Sequence, residues 1–239
     1  RWLQTLASMD HEDDDPGTTW NQRARADKPD WMSPRMAWRA IQSALPKDAI
    51  ISSDIGNNCA IGNAYPSFDE GRKYLAPGLF GPCGYGLPSI VGAKIGQPHV
   101  PVVGFSGDGA FGIAVNELTA IGRDEWPAVT QIVFRNYQWG AEKRNSTLWF
   151  DDNFVGTELD TKVSYAGIAQ ACGLLGVQVK TMDELTAALN LAIKDQMENN
   201  KTTLIEVILN QELGEPFRRD AMKRPVQVAG INAADMAAE

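Results

Sequence analysis

The chain has 239 residues, of which 44% are apolar and 22% are charged, a balance typical of a globular protein with room for one large domain. Thirty acidic residues against 22 basic residues give a net charge of −8, which is unfavourable for binding nucleic acid. Three cysteines without a C-x-x-C spacing argue against a disulfide framework, and no apolar run approaches the ~18 residues of a membrane span. We therefore expect a cytoplasmic protein that binds neither nucleic acid nor membrane.

The N-terminal segment differs in composition from the rest of the chain. It carries an acidic run at 10–15 followed by Pro16-Gly17, without a sustained hydrophobic period, so residues 1–30 are predicted to be a linker or an extended arm. The chain begins without Met and without a signal peptide, and we expect it to be a piece of a longer protein. Residues 31–210 are predicted to form the folded domain, and residues 211–239 a C-terminal tail.

Within the folded domain, short apolar runs alternate with helical segments. In chain order the predicted elements are a helix from Ser33-Pro34 to about Leu45, a strand at 49–53, a helix at 87–95, a strand at 100–105, a helix at 109–122, a strand at 128–134, a loop at 136–155, a helix at 164–172, a strand at 176–180, a helix from 182 to about 198 and a strand at 203–209. This alternation predicts an α/β fold, a parallel sheet with helices on both faces.

Residues 102–112 run from a predicted strand through a glycine turn into a helix, where backbone N–H groups and the helix dipole can face an anion. Gly107-x-Gly109-x-x-Gly112 matches the dinucleotide fingerprint. The next strand, however, ends at Arg135-Asn136 and not at the acid that would hold a ribose, although Arg135 could take a 2′-phosphate. A tight turn without any ligand is a further interpretation.

The spacing of polar residues favours another ligand. Asp108 follows one strand and Asn136 follows the next, with 26 residues between Gly109 and Asn136. Parallel strands place such ends at the same edge of the sheet, where ligands bind. A carboxylate, an amide and a nearby backbone carbonyl form an all-oxygen partial shell that suits Mg²⁺. Gly-Asp-Gly followed at this distance by Asn is the motif with which thiamine diphosphate enzymes hold Mg²⁺ and diphosphate.

The segment 107–138 resembles the diphosphate-binding domain of the thiamine diphosphate enzymes related to acetolactate synthase and pyruvate oxidase. Further strings resemble the sulfoacetaldehyde acetyltransferase branch of that family: SDIGNNC at 53–59, FGPCGYG at 80–86, NYQWGAEK at 136–143 and ELGEPFRRDA at 212–221. The resemblance covers residues 30–228. It implies thiamine diphosphate and Mg²⁺ as cofactors, with Mg²⁺ bound by Asp108, the Asn136 side chain and the Gln138 carbonyl.

The same resemblance assigns the organic cofactor to two loops and their neighbours. It implies that the diphosphate lies against Ile55, Gly56, Asn57 and Asn58 on one side and Gly107, Gly109 and Ala110 on the other. The Gly81 carbonyl would accept a hydrogen bond from the 4′-amino group of the aminopyrimidine. Cys83 falls where the family places an apolar wedge that bends the cofactor. Cys83 as a nucleophile has no histidine partner in the sequence, and a small buried apolar side chain is the simpler interpretation.

The implied reaction converts sulfoacetaldehyde and inorganic phosphate into acetyl phosphate and sulfite, a step of taurine degradation. The resemblance places the activating Glu on a pyrimidine-binding domain of a partner subunit, which implies a homodimer or homotetramer. The alternatives are an enzyme of the acetolactate synthase or pyruvate oxidase type that acts on pyruvate, a dinucleotide-binding module, or a binding domain without turnover. Cations that could bind phosphate or sulfonate are Lys143, Arg144, Arg218 and Arg219, for which a role as solvated or ion-paired surface residues stays equally open.

Overall fold

The computed structural model describes residues 31–213 apart from residues 64, 69, 70, 72 and 151. The strands are β1 Ile50–Ser53, β2 Tyr74–Leu75, β3 Val102–Gly107, β4 Thr130–Arg135, β5 Leu175–Val179 and β6 Thr203–Ile208. The α-helices are α1 Pro34–Ala44, α2 Asn57–Gly62, α3 Gly86–Gly96, α4 Asp108–Ala114, α5 Leu118–Ile121, α6 Gly140–Trp149, α7 Tyr165–Ala171 and α8 Met182–Glu198. The predicted linker at 1–30 and the part of the predicted tail after 213 lie outside the described residues.

The strands form one six-stranded sheet in the order β2-β1-β3-β4-β6-β5, and every paired strand is parallel to its neighbour. Successive side chains of a strand point to opposite faces. On one face Phe105 and Phe134 pack against Trp38 of α1, with ring centroids 4.7 and 5.3 Å from the Trp38 ring. On the other face Val133 packs in a second cluster with Phe111 of α4. The predicted parallel sheet with helices on both faces is confirmed.

Local signals explain where three helices begin. Ser33 caps α1 through its side chain and Pro34 is the first helical residue, as the sequence predicts. The Ser164 hydroxyl caps α7 by accepting a backbone N–H. Thr181 and Glu184 form a capping box at α8, which begins at the predicted residue. None of the described helices has the length and apolar character needed to cross a membrane.

Two predictions about local structure are wrong, and two short elements were not predicted. The predicted helix at 109–122 is divided into α4, a 3₁₀ turn at Val115–Glu117 and α5. The predicted loop at 136–155 contains the helix α6, whose first turn has no side-chain cap and whose sequence is largely polar, so it carries no hydrophobic period. The strand β2 and the helix α2, which are only 2 and 6 residues long, lie in the glycine-rich stretch and are too short for a sequence pattern to indicate.

The order of the strands creates a crevice at their carboxyl ends. From β1 the chain passes to β2 on one side, whereas from β3 it passes to β4 on the other side. The carboxyl ends of β1 and β3 therefore flank a topological switch point, where ligands bind in open α/β sheets. The loop after β4 lies next to this point.

Candidate functional site

A cleft opens at the switch point, between the loops that follow β1, β3 and β4. Its lining residues are Ile55, Gly56, Asn57, Asn58, Gly81, Cys83, Gly107, Asp108, Gly109, Ala110, Asn136, Gln138, Trp139, Gly140, Ala141 and Glu142. Every residue that the sequence assigns to cofactor or metal is among them. The structure therefore brings together all of these positions, which come from four separate stretches of the chain.

Asp108 is the buried carboxylate at the bottom of the cleft, with 1% of its surface exposed. Its Oδ1 accepts a hydrogen bond from the Gly109 N–H at 3.0 Å. Its Oδ2 accepts one from the Tyr137 N–H at 2.7 Å and one from Arg135 Nη1 at 3.1 Å. One side chain thus connects the turn after β3 with the loop after β4, which holds the two predicted metal-binding stretches in a fixed relation.

The charge of Asp108 is set by opposing effects. The pKa of its carboxyl is raised to about 6, because the effect of burial outweighs the pKa-lowering effects of the adjacent Arg135 guanidinium and of the hydrogen bonds from the Tyr137 and Gly109 amides. Arg135 itself is 1% exposed, is not part of the cleft lining and donates hydrogen bonds to Asp108 and to the Val163 carbonyl. A buried arginine with these partners has no room for a 2′-phosphate, so the interpretation of 107–112 as a dinucleotide site that uses Arg135 is wrong.

The loop after β4 carries the other predicted metal ligands in an unusual conformation. Tyr137 has φ 62°, in the left-handed region that residues other than glycine rarely adopt. Such a conformation persists where its surroundings hold it, and here the Tyr137 N–H bonds to Asp108. Asn136 and Gln138 on either side are buried, and Gln211 contacts both: its side chain donates to the Asn136 carbonyl and its own carbonyl accepts from Gln138.

Two residues that line the cleft have buried oxygen atoms without a hydrogen-bond partner among the described residues. The side-chain oxygens Oδ1 of Asn58 and Oε1 of Gln138 are buried and accept no hydrogen bond within the described part of the chain. Leaving such an acceptor unsatisfied costs about 1–3 kcal/mol, and a bound ligand or ion is one standard explanation. Both atoms belong to residues that the sequence assigns to the cofactor.

A second buried carboxylate, that of Asp54, organises the opposite wall. Its Oδ1 accepts from the Gly84 N–H at 3.1 Å, and its Oδ2 accepts from the Gly86 N–H at 2.8 Å and from Ser106 Oγ at 3.2 Å. Asp54 therefore ties the loop that contains Gly81 to the ends of β1 and β3. The sequence marks it only as the residue at which a strand ends, and no role was predicted for it.

Gly109 is required by packing. A Cβ added there would lie 2.7 Å from the ring of Trp139, closer than side chains tolerate. At Gly107, by contrast, no atom lies within 4 Å of the added Cβ, and φ is −70°. The second glycine of the Gly-Asp-Gly motif thus lets the turn lie directly against the indole of Trp139, a residue that closes one side of the cleft.

The thiols have different environments. Cys83 lines the cleft and is half-buried, and burial together with the charges of Asp54 and Glu142 raises its pKa. Cys59 is buried in α2, and burial raises its pKa to about 12. A thiol with a raised pKa is a weak nucleophile, since the thiolate is the reactive form. This supports the interpretation of Cys83 as a small apolar side chain.

Lys143 and Arg144, the two predicted phosphate-binding cations that the structure describes, are not in the cleft lining. Lys143 forms an ion pair with Glu158 and lies 3.4 Å from Oε1 of Gln211. Arg144 is half-buried in α6, and burial lowers its pKa. Arg218 and Arg219 lie outside the described residues. The lining instead includes Gly140, Ala141 and Glu142, for which no role was predicted because the sequence shows no helix there.

Comparison with known proteins gives a consistent set of matches. The family model described as "Thiamine pyrophosphate enzyme, C-terminal TPP binding domain" matches residues 54–207. A sulfoacetaldehyde acetyltransferase of Roseovarius nubinhibens is 83% identical over 98% of this chain, which spans 39% of that protein. The large subunit of acetolactate synthase isozyme 3 of Escherichia coli is 26% identical over 68% of the chain, which corresponds to 28% of that protein.

Among solved structures, a thiamine diphosphate-dependent 4-hydroxybenzoylformate decarboxylase of Rhodococcus jostii RHA1 superposes with a TM-score of 0.67 at 24% identity. The match covers 75% of this chain and 33% of that chain. At this identity the similarity is one of fold. The chain spans about two fifths of the length of the Roseovarius nubinhibens protein, and its match covers about a third of the decarboxylase.

Proposed function

Because the chain belongs to the thiamine pyrophosphate enzymes, as their C-terminal TPP binding domain, we propose that it is the part of a sulfoacetaldehyde acetyltransferase that holds the diphosphate and Mg²⁺. The observation that carries the proposal is the 83% identity over nearly the whole chain to a protein of that name. The identity to an acetolactate synthase is 26% over a shorter stretch, which places the pyruvate-consuming alternative second.

The residues of the cleft fit the cofactor. Asp108, the Asn136 side chain and the Gln138 carbonyl would bind Mg²⁺, because one carboxylate with neutral oxygens leaves the remaining positions to phosphate oxygens and water. The described residues contain no group of three or more His, Cys, Asp or Glu side chains that could hold a metal ion, and the proposed site uses a single carboxylate. The unpartnered buried oxygen of Asn58 lies in the same cleft and supports a polar ligand there.

The organic cofactor would lie between two glycine-containing loops. The amides of Gly109 and Ala110, at the start of α4, would bind the diphosphate from below, with Ile55 to Asn58 above it. When bound, thiamine diphosphate supplies the nucleophilic carbon for the reaction, and Mg²⁺ neutralises its diphosphate. In this proposal Asp54 holds the loop that contains Gly81 through its bonds to Gly84 and Gly86. The Gly81 carbonyl would accept a hydrogen bond from the aminopyrimidine.

This chain provides only part of the catalytic site. The cleft has a volume of about 160 Å³, whereas pockets that enclose a ligand of drug size begin at roughly 300 Å³. We propose that a pyrimidine-binding domain of the same enzyme, contributed by a partner subunit of a homodimer or homotetramer, covers the cofactor and supplies the activating Glu. The isolated chain is then expected to bind thiamine diphosphate weakly and to have little activity.

The proposed substrates, sulfoacetaldehyde and inorganic phosphate, are anions, and the described lining of the cleft contains no lysine or arginine. The cations that recognise them therefore come from elsewhere in the enzyme. Lys143 is engaged by Glu158, which makes it a weaker candidate than the sequence indicates. We keep Arg218 and Arg219 as candidates, because an arginine binds phosphate or sulfonate in a bidentate manner.

The products distinguish the two enzyme functions. The full-length protein that contains this chain, supplied with thiamine diphosphate and Mg²⁺, should release sulfite from sulfoacetaldehyde and form acetyl phosphate only when phosphate is present. Sulfite is measured by its reaction with a thiol reagent and acetyl phosphate as its hydroxamate. Acetolactate formed from pyruvate, with no sulfite from sulfoacetaldehyde, would establish the alternative function.

A further inference from the structure

The last residue of β4, Arg135, lies next to the predicted metal ligand Asn136, yet its own side chain is 1% exposed. Its Nη1 donates to Oδ2 of Asp108 at 3.1 Å. The sequence considers Arg135 only as a residue that could bind a 2′-phosphate. In the structure it contacts instead the one carboxylate of the proposed metal shell.

The other two nitrogen atoms of the guanidinium also contact protein groups, although Nε makes no hydrogen bond within the described residues. Nη2 donates to the backbone carbonyls of Asp160 and of Val163, the latter at 3.2 Å. Nε lies 3.7 Å from Oε1 of Glu206, whose side chain is buried in the adjacent strand β6. The planar fork of an arginine can make such contacts in several directions at once, whereas a lysine presents a single point charge.

Residues 157–163, whose carbonyls at Asp160 and Val163 accept from Arg135, are also bonded to the loop 136–139, here called the metal loop. Thr157 accepts a hydrogen bond from the Trp139 N–H at 2.7 Å, and the Leu159 N–H donates to the Tyr137 carbonyl at 2.8 Å. Residues 157–163 therefore run along the loop 136–139, attached to it at one end by backbone bonds and at the other by Arg135. The ring of Tyr137 lies over the guanidinium, 4.2 Å from Cζ.

These contacts give the two carboxylate oxygens of Asp108 different numbers of hydrogen-bond donors. Oδ2 already accepts from Arg135 and from the Tyr137 N–H, whereas Oδ1 accepts only from the Gly109 N–H. Oδ1 is thus the oxygen with capacity left for a cation. Without Arg135, Asp108 and Glu206 would be two buried carboxylates with no cation between them, and the Asp108 side chain would be free to turn.

We propose that Arg135 is a positioning residue of the magnesium site: it fixes Oδ2 of Asp108, so that Asp108 presents Oδ1 alone to Mg²⁺, and it fastens residues 157–163 to the metal loop. The proposal rests on the proposed function, since it requires that Asp108 bind Mg²⁺. Removing a group that orients a metal ligand typically weakens metal binding by roughly 10- to 100-fold. We expect a loss of this size when the guanidinium is removed.

The test is a Mg²⁺ titration of thiamine diphosphate binding to the full-length protein, followed by the quenching of tryptophan fluorescence, since Trp139 lines the cleft. In Arg135→Gln the Mg²⁺ concentration at half-saturation should rise roughly 10- to 100-fold. In Arg135→Lys, which keeps the charge but cannot reach Asp108 and the two carbonyls together, it should rise less. The readout is binding and does not depend on catalysis.

Ser164→Ala is the matched control. It removes the cap of α7 and the hydrogen bond from Ser164 to Glu206, in the same neighbourhood, but leaves the contact between Arg135 and Asp108 intact. Its melting temperature should fall while its Mg²⁺ requirement stays that of the wild type. An unchanged Mg²⁺ requirement in Arg135→Gln, or an equal shift in Ser164→Ala, would overturn the proposal.

Two further outcomes are also decisive. If Arg135→Gln does not fold, Arg135→Lys decides: a raised Mg²⁺ requirement supports the positioning role, and a wild-type requirement refutes it. If the wild-type protein shows no Mg²⁺-dependent binding of thiamine diphosphate, the proposed function fails, and this inference fails with it. A normal wild-type titration beside an unaltered variant would refute the inference alone.

Discussion

Two regions of the sheet are built in different ways. The region from β5 to β6 (175–208) contains the 17-residue helix α8, which begins with a capping box and buries Leu185 and Leu189 completely. The region from β3 to the start of α6 (102–142) has short or interrupted helices and buries charge, with Asp108 and Arg135 each 1% exposed.

This difference indicates that one region mainly stabilises the fold and the other mainly forms the binding site. Buried apolar side chains on a regular helix stabilise the fold without regard to ligands. Buried charges are costly unless each has its partner, and they are retained where a site needs them in fixed positions. Substitutions in the site region should therefore change cofactor binding, and matched substitutions on α8, which does not include the Arg135 partner Glu206, should not.

The largest effect is expected from the carboxylate itself. Asp108→Asn keeps the size of the side chain but removes the only formal negative charge of the proposed shell, so Mg²⁺-dependent binding of thiamine diphosphate should weaken by more than about 100-fold, beyond the range seen when a group behind a ligand is lost. Asn136→Ala removes a neutral ligand and should have a smaller effect. Isothermal titration of the full-length variants measures both.

Asp195→Asn makes the same charge change at a partly exposed position of α8, where the Asp195 side chain accepts from nearby Asn199 and its carbonyl accepts from backbone N–H groups at the end of the helix. It should bind cofactor as the wild type does. Wild-type affinity in Asp108→Asn would remove Asp108 from the metal site and with it the contrast between the regions.

A smaller effect is expected from a single methyl group at the turn. Gly109→Ala places a Cβ 2.7 Å from the ring of Trp139, and overpacking of this kind costs about 1–3 kcal/mol. Because Trp139 also lines the cleft, cofactor binding should weaken together with the free energy of unfolding, which denaturant titration measures. Gly107→Ala, where the added Cβ meets no atom within 4 Å, is the control and should be tolerated. Equal destabilisation by both substitutions would show that the Trp139 contact is not the cause.

The smallest effect concerns thiol reactivity. Cys83 lines the cleft, Cys172 is half-buried at the end of α7 outside it, and Cys59 is buried with a pKa raised to about 12. Iodoacetamide should modify Cys83 and Cys172 and leave Cys59 unmodified. With Mg²⁺ and thiamine diphosphate at about ten times the dissociation constant, alkylation of Cys83 should slow about tenfold, because only the free protein reacts.

Peptide mass mapping over a time course follows each thiol separately, and Cys172 serves as the internal control. Equal slowing at Cys83 and Cys172 would indicate general tightening of the fold. No slowing at Cys83 would place the cofactor away from this wall of the cleft.

The two regions also differ in how well their structure could be predicted. The helix α8 has both a cap and buried apolar positions, and its predicted bounds match the structure. The helix α6 has neither a capping side chain nor an apolar period, and the segment 109–122 contains residues that form a 3₁₀ turn between two short helices. In both cases the conformation is stabilised by contacts with other parts of the chain, which a local pattern does not record.

The sequence by itself determined the parallel α/β fold and the position of Asp108 and Asn136 at the carboxyl edge of the sheet, because hydrophobic period, turn glycines and motif spacing are local properties of the chain. The other predicted cofactor residues followed from the family resemblance. Only the tertiary structure decided which charged groups meet. Arg135 contacts Asp108, which directly follows the neighbouring strand β3, and Glu206 from β6, Lys143 is held by Glu158, and Asp54 reaches the loop of Gly84 and Gly86. Such partners are distant in sequence and become neighbours only through the order of the strands, so their pairing cannot be deduced from either residue alone.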